Sequence, residues 1–78
     1  MSDITGRLEN WVLAPWGEDS VVWGNLYDDS KERFSDGTFI HTSSVESIVL
    51  IENVKYVQTR YSRYALGEQA PVPGVRNL

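Results

Sequence analysis

Apolar residues along this chain fall in short runs and alternations, separated by turn-forming residues. Arg7–Ala14 (Arg-Leu-Glu-Asn-Trp-Val-Leu-Ala) carries side chains that favour a strand. Counting by twos puts Leu8 and Val12 on one face and Trp11 and Leu13 on the other, so both faces are apolar. That pattern predicts a central strand, or one with a face covered by a partner. Val21–Asp28 predicts a second strand, antiparallel to the first through the turn chemistry of Pro15-Trp16-Gly17-Glu18-Asp19-Ser20. Here Val22, Gly24 and Leu26 share one face, and Val21, Trp23, Asn25 and Tyr27 the other. Gly24 inside a strand points to a bulge, a bend or a close backbone approach. Trp16, in the intervening loop, either folds back as a lid on the core, which is the favoured reading, or waits for a partner.

The next signals are Asp36-Gly37, a strong hairpin turn beside β-forming residues, and a strand over Thr38–Ser43. In that strand Phe39 and His41 share a face, opposite Thr38, Ile40 and Thr42. Ser30–Arg33 has the composition for one helical turn. Val45–Ile51 reads two ways: a helical turn capped by Ser44, or a short buried strand carried by Ile48-Val49-Leu50-Ile51, with Glu52-Asn53 as its turn. The β-branched run favours the strand. Val54–Leu66 is β-forming throughout but too long for one ordinary strand, which predicts a kink near Tyr61-Ser62. These elements predict an all-β fold: a small single-domain curled sheet, or an SH3-like or OB-like barrel, of five to six antiparallel strands. The β domain spans 1–67, after a frayed start at 1–6. Residues 68–78, with Pro71 and Pro73, read as an extended tail.

Composition narrows the functional classes. Seventy-eight residues make one domain with a modest core, and a homo-oligomer is one route to more buried area. Cysteine is absent, so no disulfide or thiolate metal site exists, and a cytosolic setting is favoured. No apolar run approaches the roughly 20 residues of a membrane span. A net charge of −4 argues against general nucleic-acid binding and suits docking on a basic partner.

No catalytic signature is present. His41, Ser43 or Ser44, and Asp36 contain the residue types of a hydrolytic triad. However, His41 and Ser43 are two apart on a strand, roughly 6–7 Å, too far for a nucleophile–base hydrogen bond. Asp28-Asp29 lacks the rest of a calcium loop, and one histidine makes no zinc site. The expectation is a non-enzymatic chain with no cofactor and no metal. Binding is better supported, because three Trp, four Tyr and two Phe exceed what so small a core hides. The candidate ligand-binding residues are Trp23, His41, Thr42, Ser43, Ser44, Arg60, Tyr61, Arg63 and Tyr64, an aromatic, cationic and hydroxyl set suited to a nucleotide-type ligand. The bland reading of the same residues is structural: tyrosines filling the interior and His41 satisfying a strand-end carbonyl.

Several segments also carry a resemblance: Gly6–Trp11, Trp23–Asp29, Arg33–Thr38 leading into Ile40–Ser43, and Ser62–Gly67. Together they resemble a family of small uncharacterised proteins encoded by tailed bacteriophages and prophages. The resemblance implies a setting, the cytoplasm of a bacterial host. It implies a class of role, antagonism of a host or immune-defence process by stoichiometric masking of a host protein, as anti-CRISPR-type inhibitors do. Sequestration of a cyclic-oligonucleotide signal and a minor virion or assembly component stand as alternatives.

Overall fold

Gly17 starts the fold's first hairpin. It has φ 64 and is followed by Glu18, whose φ is negative, the pattern of a two-residue turn that matches the twist of its flanking strands. With so tight a turn, the ladder runs from Trp16↔Asp19 down to Arg7↔Tyr27. In the computed structural model, which describes residues 4–71, six strands form one sheet. They are β1 (Gly6–Trp16), β2 (Asp19–Tyr27), β3 (Thr38–His41), β4 (Val45–Ile51), β5 (Val54–Thr59) and β6 (Arg63–Leu66), in the order β3-β2-β1-β6-β5-β4. The fold is all-β, as the sequence pattern predicts. The sheet is mixed: β6 takes its direction from the β5 hairpin and lies parallel to β1, whereas every other pair is antiparallel.

The connection between β3 and β4 dictates the curl. These strands lie at opposite ends of the order, yet only Thr42, Ser43 and Ser44 join them. A flat six-stranded sheet would hold its edges about 24 Å apart, while a link of this length spans about 14 Å at most. The sheet therefore rolls up without closing into a barrel. Thr42 fastens the roll: its N–H donates to the Val22 carbonyl at 2.9 Å, and its Oγ1 accepts from the Val22 N–H at 3.1 Å. The core gathered inside is Leu8, Trp11, Val22, Leu26, Val57, Tyr64 and Leu66.

Several local expectations are corrected. Leu8 and Trp11 lie together in the core, not on opposite faces, because β1 shifts register between Glu9 and Val12, with Asn10 at φ 56. That bulge breaks the period of two. Gly24 sits against it: a Cβ there would lie 3.2 Å from the Glu9 carbonyl oxygen and 3.2 Å from the Trp11 Cβ. Asp36-Gly37 does form a turn, but it closes a loop over 28–37 in place of a tight hairpin, since β2 ends at Tyr27. Within that loop a turn over Asp29–Glu32 is closed by Glu32 N–H donating to Asp29 O at 3.0 Å, and Ser30–Arg33 forms no helix. The start of the chain is not frayed at Thr5, which is buried, donates to Arg63 O at 2.7 Å and accepts from Ser30 N–H at 2.7 Å. The expected kink is present: β5 stops at Thr59 and β6 begins at Arg63, with the Ser62 carbonyl accepting from Thr59 N–H and Oγ1. The first residues of the expected tail are docked on β1, Trp11 N–H donating to Glu68 O and Ala70 N–H to Trp11 O. The rest of the tail, 72–78, lies outside the described residues.

Candidate binding face

On the outward face of β2, register pairs Trp23 with His41 and Asn25 with Phe39 across to β3. Residues directly opposite on antiparallel strands share a face and touch, so the alternation read from Phe39 and His41 becomes a row of rings. Trp23 stacks on Phe39 with centroids 5.5 Å apart and planes 16° apart. His41 lies 4.6 Å from Trp23 and 4.7 Å from Trp16. Trp16 meets Trp23 edge-on at 6.1 Å. Trp16 is therefore no lid on the core. The two-residue turn keeps it in strand geometry at the end of β1, aimed along the outer face, where it stays 49% exposed; Phe39 is 59% exposed. Acidic groups border the row at the Trp16 end: Glu18 is exposed in the turn, and Asp19 accepts a hydrogen bond from Ser44 Oγ at 3.0 Å.

The nine candidate residues are not gathered in one place. Trp23 and His41 belong to the aromatic row, and His41 Nδ1 faces the Thr42 carbonyl at 2.9 Å, the strand-end contact anticipated for a structural histidine. Thr42 is buried, its Oγ1 donating to Ser43 O while accepting from Val22. Ser43 is exposed, and Ser44 is held by Asp19. Arg60 and Tyr61 occupy the β5–β6 turn, Tyr61 being 72% exposed. Arg63 Nε donates to Gln58 Oε1 at 2.9 Å. Tyr64 is a core residue whose hydroxyl accepts from Arg33 at 3.4 Å. Because Val45 pairs with Thr59, the Ser43-Ser44 and Arg60-Tyr61 segments end at the same side of the β4–β5 ladder. Residue reasoning alone left Trp16 and Phe39 out of the site. Period two did place Phe39 beside His41, and that was the available signal.

Two carboxylates are held below their ordinary range. At Asp29, burial pushes the group up, but donors from the backbone N–H groups of Arg33 and Lys31 and from the Arg33 guanidinium outweigh it. At Glu9 the chief cause is the Glu68 backbone N–H, donating at 2.8 Å, opposed by burial and reinforced by Arg7. The Asp29 carboxylate braces its own loop, and the Glu9 carboxylate ties the segment after β6 to β1. Among the described residues no three potential metal-ligating side chains cluster, and no helix is long and apolar enough to cross a membrane. No family model, curated protein or solved structure matches this chain.

Proposed function

We propose that this chain is a non-enzymatic binding protein that masks a basic protein surface of a bacterial host with the Trp16–Trp23–Phe39–His41 face, and thereby antagonises a host or immune-defence process. The observation that supports it is the exposure of this row. Rings that could have filled the small core stack instead on the outward side of β2 and β3. Exposed aromatic clusters of this kind anchor protein interfaces. A ring row bordered by Glu18 and Asp19, on a chain of net charge −4, suits a partner that presents arginines. The bacterial-host setting rests on the resemblance of the segments to small phage proteins.

A second reading has one observation in its favour. Arg60 and Tyr61 are exposed at the same end of the sheet as Ser43 and Ser44, which supports a nucleotide-type ligand there. It has less support, since Thr42 and Tyr64 are buried with their hydroxyls bonded inside the protein and Arg63 Nε is held by Gln58.

Affinity capture from bacterial lysate, followed by reconstitution with the purified captured protein, separates the readings. A one-to-one complex weakened about tenfold or more by Phe39→Ala or Trp16→Ala, with the melting temperature unchanged, is expected. Retention of a small anionic molecule sensitive to Arg60→Ala and insensitive to Phe39→Ala would favour the second reading. Recovery of the protein only within virions would favour an assembly role.

A further inference from the structure

The opposite end of the sheet has a surface that the aromatic face does not involve. β4 is an edge strand, and among the described residues it pairs only with β5. Exposed edges are normally short, or guarded by charge or proline. The regular part of β4, Ser47–Ile51, contains no charge and no proline; its only guards are Glu46, at the register shift near the strand's start, and Glu52, in the turn. Side chains on both faces of this hairpin lie in solvent: Ile48 is 38% exposed, Val49 37%, Leu50 64%, Ile51 48% and Val54 38%. Among the described residues the core cluster holds five aliphatic side chains beside Trp11 and Tyr64, and this hairpin leaves as many aliphatic side chains in solvent.

We propose that β4 pairs antiparallel with β4 of a second copy of this chain across a two-fold axis, making one continuous twelve-stranded sheet. A two-fold normal to the sheet sets an edge against itself in antiparallel sense and keeps each face continuous; centred on Val49, it sets Ile48 against Leu50, Val49 against itself and Ile51 against Ser47, with no charge inside the paired segment. The acids at the two ends of the run confine pairing to that segment, because sliding further brings Glu46 or Glu52 over aliphatic side chains. The exposed aliphatic strip is of the few-hundred-Å² size that marks an interaction patch on a monomer. Pairing edge to edge covers only the part of this strip along β4 in each copy, so the contact lies at or below the roughly 1,000 Å² that a specific interface has to clear and depends on the backbone hydrogen bonds of the new ladder. A dimer near that limit is concentration-dependent.

Sedimentation equilibrium over a wide range of concentration tests this, using the wild type, Leu50→Lys and Ile51→Lys, which place a charge on either face of the edge. Circular dichroism confirms folding; since both residues are solvent-exposed, neither change disturbs the core. The wild type is expected to pass from monomer to dimer, and each variant to raise the midpoint concentration about tenfold or more. A wild type that stays monomeric overturns the proposal, including when its hairpin proves to bind lipid vesicles or another protein instead. So does a dimer that both variants leave intact, or one lost with Phe39→Ala, which would place the contact on the aromatic face. Open-ended oligomers would exclude a two-fold.

Discussion

Asp29 carries more of the structure than its place in a polar loop suggests. Its side chain is 2% exposed, and its carboxylate accepts from the backbone N–H groups of Lys31, Arg33 and Phe34 as well as from Arg33's guanidinium. Replacing it with Ala leaves those donors unsatisfied, and Asp29→Ala is expected to lower stability by about 1–3 kcal/mol in urea denaturation. The same carboxylate sets an acid limb. Asp29 and Glu9 are both held below their ordinary values of 3.8 and 4.5. Depressed carboxylates contribute stability that is complete above the unfolded-state values and is lost as pH falls through the folded-state ones. Urea midpoints should therefore be flat above about pH 5 and fall below about pH 4, with a shallower fall in Asp29→Ala. Gly24 is the other decisive residue. A methyl group there presses on the Glu9 carbonyl and the Trp11 Cβ, neither of which can swing away, so Gly24→Ala should destabilise by about 1–3 kcal/mol. The sequence flagged this glycine as a place of close approach; the residue it meets, Trp11, was hidden because the bulge at Asn10 moves that tryptophan to the core side.

Among the elements, strand existence was legible and strand surroundings were not. Val45–Ile51 was readable as a strand from its β-branched run, and the break at 60–62 from the length of the Val54–Leu66 run. Whether a strand is buried depends on its position in the sheet, which local pattern does not encode. Ile48-Val49-Leu50-Ile51 looks like a buried strand and is instead the exposed edge. The parallel β1–β6 pair was equally invisible, since it follows from the order in which hairpins stack. The β4–β5 turn stores some strain, because Glu52 at φ 50 and Asn53 at φ 71 both occupy the left-handed region. A non-glycine residue such as Glu is disfavoured there. The double change Glu52→Asn, Asn53→Gly supplies the residues such a turn prefers and should raise stability by about 0.5–1 kcal/mol, read from the thermal midpoint.

For the whole molecule, a three-residue link between opposite edges rolls the sheet, leaving a small core inside and an aromatic row outside. Half of the candidate site was within reach of sequence reasoning, because His41 and Trp23 were identified and Phe39 was placed on the His41 face. The rest required the β2–β3 register and the tight turn that carries Trp16 onto the same surface. Tyr64, Arg63 and Thr42 entered the candidate set by residue type, and the fold uses them to hold itself together. The proposed docking surface is the outer aromatic row. Its most direct test is titration calorimetry of the purified captured protein against the wild type and against Trp16→Ala/Phe39→Ala. One-to-one binding that weakens with added salt and is lost in the double variant is expected, with the variant's fold and melting temperature retained. Undiminished binding by that variant would contradict it.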